Sequence, residues 1–157
     1  MSKQNFGIVG LGVMGENLAL NIESRGFSVV GFDLDAKKVE SFAKRTQGKK
    51  ALAVNTVAEF VASLETPRRI LMMVPAGKPV DAVIKDLRPH LAPGDLMIDG
   101  GNTLFTDTER RIKELEGTGI LFVGTGVSGG EEGALRGPAI MPGGNPAAWP
   151  LVKPVLQ

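Results

Sequence analysis

Cysteine is absent from the 157 residues, and histidine occurs once, at His90. The first absence excludes disulfides, thiolate metal ligands and a cysteine nucleophile, although it does not report the redox compartment. The second leaves little scope for a histidine-rich metal site or a Ser-His-Asp relay, so no metal is expected. A dominant charge is lacking too. Lys plus Arg number 18 against 17 Asp plus Glu, which gives no bulk field for nucleic acid or an anionic membrane surface. Any anionic ligand must therefore be bound locally. No apolar run approaches transmembrane length, and the start, Met1-Ser2-Lys3-Gln4-Asn5, lacks the apolar stretch of a secretion signal. A cytoplasmic location without a membrane partner is the default expectation.

What is present is an ordinary globular composition, 43% hydrophobic and 22% charged, on a length suited to one domain over residues 1–157. Such a chain buries about two thirds of its unfolded surface. The most informative stretch runs from Phe6 to Gly15. Phe6-Gly7-Ile8-Val9 reads as a strand, Gly10-Leu11-Gly12-Val13-Met14-Gly15 has the form G-x-G-x-x-G, and Leu18-Ala19-Leu20-Asn21-Ile22 continues as a helix. Gly10 lets the chain leave the strand sharply, Gly12 omits a side chain where a pyrophosphate must approach, and Gly15 lets helix and strand lie close. The helix N-terminus adds unpaired N–H groups for the phosphates. A lone motif of this kind is weak, because many glycine-rich turns only reverse the chain. Here a second strand, Phe27 to Phe32, ends in Asp33, 21 residues beyond Gly12, where a ribose-binding acid is expected.

Alternation continues downstream. Arg25-Gly26 reads as a helix end, Ala36 to about Lys44 as a helix, and Thr56 with Glu59 as a capping box opening another. Arg69 to Val74 is a continuous apolar run suited to a strand buried on both faces, ended by Pro75-Ala76-Gly77. Val80, Val83, Ile84 and Leu87 form a helical stripe, Leu96 to Asp99 a strand, and Gly100-Gly101-Asn102 its following loop. Thr106 and Glu109 again have capping-box spacing, before a charged helix with Ile112 and Leu115 on its apolar face. A strand at Ile120 to Val123 delivers a second glycine-rich stretch, Gly124 to Gly133. Ala139 to Gly144 reads as a strand and turn, and Asn145-Pro146 as a helix start. The pattern is that of an α/β fold with a doubly wound, mostly parallel sheet. In such sheets ligands lie beyond the carboxyl ends of the strands, where Gly10 to Gly15, Asp33 to Asp35, Val74 to Gly77, Gly100 to Asn102 and Val127 to Gly130 are expected to fall.

Taken together, the blocks GLGVMGENLALN (Gly10 to Asn21), IDGGN (Ile98 to Asn102), GVSGGEEGA (Gly126 to Ala134) and MPGG (Met141 to Gly144) resemble the N-terminal, Rossmann-type coenzyme domain of the decarboxylating 6-phosphogluconate dehydrogenase family. The resemblance spans essentially the whole chain. It implies an oxidoreductase of the pentose phosphate pathway that oxidises 6-phosphogluconate at C3 with a nicotinamide coenzyme and decarboxylates the product to ribulose 5-phosphate. It places Gly10, Leu11, Gly12, Val13, Met14, Gly15, Asp33, Leu34, Lys38, Val74, Pro75, Ala76 and Asn102 at the coenzyme. It places Asn102, Ser128, Gly129 and Gly130 at the substrate. An amide or a hydroxyl can donate and accept at once, and glycines let backbone N–H groups reach an anion. From the residues alone, Asn102 capping a turn and glycines merely bending the chain stay equally open.

Three departures from the family pattern matter. Where NADP-using members carry an Asn-Arg-Thr run, this chain has Asp33-Leu34-Asp35. The arginine that clamps a 2′-phosphate is replaced, and a carboxylate stands where that phosphate lies, so NAD is favoured over NADP. Lys37 or Lys38 softens that discrimination if either reaches the phosphate, and Asp35 also suits a helix cap before Ala36. Pro75 stands where many NADP-type relatives have a lysine. Lastly, the family's catalytic lysine and glutamate and its substrate-phosphate ligands belong to a following helical domain, and the family dimer depends on it. The chain ends at Gln157, so the expectation is a coenzyme domain without catalytic residues, sharing 6-phosphogluconate with a missing helical domain and inactive alone. Glu131 and Glu132 read as flanking a short helix, and His90 as a surface residue. Two alternatives remain: a 3-hydroxyisobutyrate-type dehydrogenase, and a non-catalytic nucleotide-binding module.

Overall fold

A computed structural model describes residues 2–157. Seven strands form one sheet: β1 (Phe6–Val9), β2 (Val29–Phe32), β3 (Ala51–Val54), β4 (Arg69–Met72), β5 (Leu96–Asp99), β6 (Leu121–Ser128) and β7 (Ala139–Gly144). Their order is β3-β2-β1-β4-β5-β6-β7, parallel throughout except for β7, which runs antiparallel to β6. The chain therefore winds outward from β1 to β3, crosses back to β4, and winds outward again. At this crossover the chain leaves the paired strands β1 and β4 toward opposite faces of the sheet, the place in such sheets that receives ligands.

Both faces are covered, which explains why the central strands read as unbroken apolar runs. Helices α1 (Val13–Ser24), α2 (Ala36–Arg45), α6 (Gly130–Arg136) and α7 (Trp149–Leu156) pack on one face through Leu18, Phe42, Ala134 and Val152, over Phe6, Ile8, Val29, Leu71 and Ile98. Helices α3 (Val57–Ala62), α4 (Lys78–Leu87) and α5 (Phe105–Leu115) pack on the other through Phe60, Val80 and Leu115, over Val30, Ile70, Met72 and Met97. Neighbouring strand residues thus serve opposite cores, as a period of two requires. Gly7 makes room for Phe60, whose ring carbon would lie 2.6 Å from a Cβ there.

Helix starts follow local chemistry. The Asp35 carboxylate accepts from the Lys37 amide at 2.9 Å and caps α2. The Thr56 hydroxyl accepts from the Glu59 amide at 3.2 Å and donates to the Glu59 carboxylate at 3.0 Å. Asn145 accepts from the Ala147 amide at 3.0 Å, opening a 3-10 turn at Pro146–Ala148.

Three expectations need correction. β3 was not anticipated, since Ala51-Leu52-Ala53-Val54 carries weak strand propensity; its ladder with β2 supplies what propensity does not. The capping box at Thr106 is not formed: α5 begins at Phe105, its cap is Leu104 in an extended conformation with no side-chain bond, and Thr106 lies inside the first turn. The loop expected at Val127 to Gly130 begins only after Ser128, because Gly124 to Ser128 belong to a strand. β6 runs to Ser128 because β7 pairs with its whole second half, Thr125 opposite Pro142 and Ser128 opposite Ala139.

Candidate coenzyme and substrate site

The loops at the carboxyl ends of β1, β2, β4, β5 and β6 lie side by side. After β1, Gly10 adopts φ +96°, and a Cβ there would run into the carbonyl oxygen of Met73. A Cβ at Gly15 would overlap the carbonyl oxygen of Gly10, so this glycine is demanded by the close approach of α1 to its own strand. Gly12 differs from both. Its φ of −70° is ordinary and a Cβ would meet nothing within 4 Å. Neither backbone conformation nor internal packing asks for glycine there, and the open space in front of the α1 N-terminus suits a pyrophosphate approaching the backbone. Leu11 is buried while Val13 is 56% exposed at the mouth of this space.

Asp33, at the end of β2, turns back onto the same loop. One carboxylate oxygen accepts from the Leu11 amide at 2.8 Å, the other from the Asp35 amide at 2.9 Å. Lys38 stands 3.9 Å away. An ionised carboxylate has about four lone-pair sites, so two backbone bonds hold Asp33 in place and leave acceptor capacity for a ligand. Leu34 beside it is 82% exposed. Between β1, β2, the β4 loop and α4 lies a slot of about 100 Å³ lined mainly by Val9, Phe32, Leu34, Val74, Val83 and Leu87, with Asp33 and Asp86 also in its wall, and its largely apolar lining suits a base.

After β4 the chain passes through Val74, Pro75 and Ala76 to Gly77, the latter at φ +87° before α4. After β5, Gly101 packs against that segment, a Cβ there lying 2.6 Å from the Val74 carbonyl oxygen, while Gly100 lies against Met73 just before it. Asn102 has φ +55°, the one positive value outside glycine among the described residues. Its side-chain oxygen accepts from the Val127 amide at 3.4 Å. That bond places Asn102 beside the end of β6, so Asn102 and the exposed Ser128-Gly129-Gly130 segment adjoin. Gly129 and Gly130 have φ of +128° and +62° and lead into α6. Glu131 and Glu132 occupy the first turn of α6, exposed, with Glu132 paired to Arg136 at 3.4 Å. His90 is exposed in a 3-10 turn after α4.

Two residues of this region escaped the sequence reading. Asp99, at the end of β5, accepts from the Gly101 amide at 2.9 Å and from the Thr103 hydroxyl. Arg111 of α5, 1% exposed, donates to Asp99 at 3.2 Å, to Asp81 at 2.8 Å and to the Gly77 carbonyl at 3.2 Å. Its signal was present: Thr108, Arg111 and Leu115 fall on one helical face, which sets an arginine into an apolar stripe. The hydrogen bond from Arg111 holds the Asp81 carboxyl below its ordinary value of 3.8, with a smaller contribution from Arg110.

The family model for the NAD-binding domain of 6-phosphogluconate dehydrogenase matches residues 5–157. The chain belongs to this family. It is 60% identical over 158 residues to the decarboxylating 6-phosphogluconate dehydrogenase of Synechococcus elongatus, covering all of this chain and 34% of that protein. It is 59% identical over 157 residues to the NADP(+)-dependent decarboxylating enzyme of Bacillus subtilis, again over 34% of its length. The 6-phosphogluconate dehydrogenase of Plasmodium falciparum, solved alone and with NADP+ or 6-phosphogluconate, superposes with a TM-score of 0.90 at 38% identity, over 96% of this chain and 33% of that one. The 3-hydroxyisobutyrate dehydrogenase of Mycobacterium tuberculosis superposes with a TM-score of 0.83 at 28% identity, over 98% of this chain and 51% of that one. The chain thus spans about a third of the length of the curated 6-phosphogluconate dehydrogenases it matches. It has the α/β fold of an NAD(P)-binding domain. Among the described residues, no helix is long and apolar enough to cross a membrane.

Proposed function

We propose that this chain is the coenzyme-binding part of a decarboxylating 6-phosphogluconate dehydrogenase and that it takes NAD in preference to NADP. Supporting the first half is the identity near 60% to enzymes of that name, against 28% to a 3-hydroxyisobutyrate dehydrogenase. The observation that carries the second half is Asp33, whose carboxylate is fixed at the ribose end of the site by the Leu11 and Asp35 amides. It can accept from free ribose hydroxyls and repels a 2′-phosphate, and Leu34 offers that phosphate no donor. Lys38, within 3.9 Å of Asp33, lessens the repulsion without removing its source.

In this reading Gly10 to Gly15 receive the pyrophosphate, and the apolar slot receives the adenine. Val74, Pro75 and Ala76 line the coenzyme's path toward Asn102, which faces both coenzyme and substrate. Ser128, Gly129 and Gly130 meet the substrate. A nicotinamide held there would supply the hydride acceptor for oxidation at the substrate's C3. This chain's residues orient the two partners, while the proton-transferring base and acid come from a helical portion of the full-length protein, which also completes the substrate site and the dimer. The cytoplasmic location and the inactivity of these residues alone belong to the same proposal.

Calorimetric titration of the 157-residue chain with NAD and with NADP at matched ionic strength tests the coenzyme assignment. Tighter NAD binding is expected, and tighter NADP binding refutes it. For substrate, the full-length protein is expected to show a far higher kcat/KM on 6-phosphogluconate than on 3-hydroxyisobutyrate; the reverse order would transfer it to the other branch.

A further inference from the structure

Arg111 holds together two loops that no single element connects. One end of the network is Asp99, fully buried, which fixes the Gly100-Gly101-Asn102 turn through the Gly101 amide and the Thr103 hydroxyl. The other end is the start of α4, where the Gly77 carbonyl and Asp81 close the Val74 to Gly77 segment. Arg111 reaches both from a third element, with its three donors pointing in different directions. The two loops also touch directly, Gly101 against the Val74 carbonyl and Gly100 against the Met73 sulfur. Arg111 braces them from the α5 side.

A buried ion pair is a poor device for stability, because desolvating both charges offsets most of their attraction, and apolar replacements are often neutral. Geometry is what such a pair supplies well. The rigid planar fork of an arginine sets several acceptors at fixed separations, which an ammonium on a flexible stem does not do. Asn102, held at φ +55°, needs such support, since a positive φ costs energy in a non-glycine residue and persists only where the surroundings enforce it.

We propose that Arg111, through Asp99 and Asp81, is a positioning residue that sets the coenzyme loop Val74 to Gly77 and the substrate loop Gly100 to Asn102 at one fixed separation. It thereby presents Asn102 to both ligands. This rests on the coenzyme reading above, but the network itself is judged separately.

The test compares the wild-type chain with Arg111→Lys and Asp81→Asn by amide hydrogen exchange and by NAD titration. Asp81→Asn weakens the outer leg at a partly exposed residue and leaves the buried Asp99 pair intact, so it reports even if Arg111→Lys does not fold. Exchange is expected to quicken together at residues 76–77 and 100–103, with β1, β4 and β5 protected as in the wild type. The NAD Kd is expected to rise about tenfold in Arg111→Lys and about threefold in Asp81→Asn, as loss of one charge-assisted bond and weakening of another imply. Quickening at only one loop, uniform quickening through the strands, or no change would overturn the brace. Quickened loops with an unchanged Kd would overturn its role toward the coenzyme. A wild-type chain that binds neither NAD nor NADP would sink the coenzyme reading, while the exchange data would still decide the brace.

Discussion

Replacing Asp33 by Asn tests the coenzyme preference at its source. The carboxylate is 14% exposed, takes backbone N–H bonds at 2.8 and 2.9 Å, and has a lysine at 3.9 Å. A like charge about 4 Å away costs on the order of 4 kcal/mol at an effective dielectric of about 20. Partial exposure, Lys38 and salt reduce this to about 1–2 kcal/mol. Removing the charge is therefore expected to tighten NADP binding by roughly five- to thirtyfold. The same change weakens NAD by roughly three- to tenfold, because a charged acceptor for the ribose hydroxyls becomes a neutral one. The amide also keeps only one good acceptor for two backbone donors, at a cost of about 1 kcal/mol in stability. Titration with both coenzymes at low and moderate salt measures the ratio of the two Kd values, expected to move by about two orders of magnitude and to move less as salt rises. A ratio that stays put, or a wild type that already prefers NADP, refutes the argument and shifts attention to Lys37 and Lys38.

Gly12 and Gly15 separate ligand space from packing. Gly12→Val is expected to keep the wild-type thermal midpoint within a few degrees while lowering coenzyme affinity at least a hundredfold, since its side chain enters open space; retained affinity refutes it. Gly15→Ala forces a Cβ into the Gly10 carbonyl and is expected to destabilise by about 3 kcal/mol in denaturant titration, before any ligand is added. Phe60→Ala, which empties a site with no exposure against Gly7 and Phe32, is expected to cost about 3–5 kcal/mol; a loss below 1 kcal/mol would mean the face repacks. Asp81 has a folded-state pKa below its ordinary 3.8. Its contribution is thus fully present above that value and is lost as pH falls through the lower folded one. With its side chain 40% exposed, solvent holds that contribution under about 1 kcal/mol, and Asp81→Asn is expected to flatten acid unfolding slightly below pH 4. An unchanged acid profile would show the pair contributes nothing.

Local signals accounted for most of what the sequence revealed. β1 and β5 fall on the expected residues because their apolar runs are bounded by glycine and by Pro93-Gly94-Asp95, and α2 begins where Asp35 caps it. What escaped is what distant residues decide. β3 exists through β2, and β6 extends through glycines because β7 pairs with it, Gly124 being needed beside Thr108, whose methyl would lie 2.8 Å from a Cβ. Thr106 and Glu109 match a cap by spacing, yet the chain turns into α5 earlier, where Thr103 is held by Asp99. In the site, the acid at Asp33 was legible from its distance to the glycine motif. Its bond to Leu11 and the burial of Arg111 were not, since both depend on how strand ends stack across the sheet.

Proline at position 142 sits in the outermost strand, opposite Thr125, with nearly every residue of β7 exposed. An exposed border strand containing Ile140 and Met141 is a template on which another extended chain can crystallise its hydrogen bonds. A residue without an N–H interrupts that template at its centre, and the ring tolerates the ladder only with its nitrogen turned toward solvent. The opposite border, β3, is guarded differently, by being four residues long and preceded by Lys49 and Lys50. Both borders of the sheet thus carry features that disfavour the edge-to-edge addition of another strand.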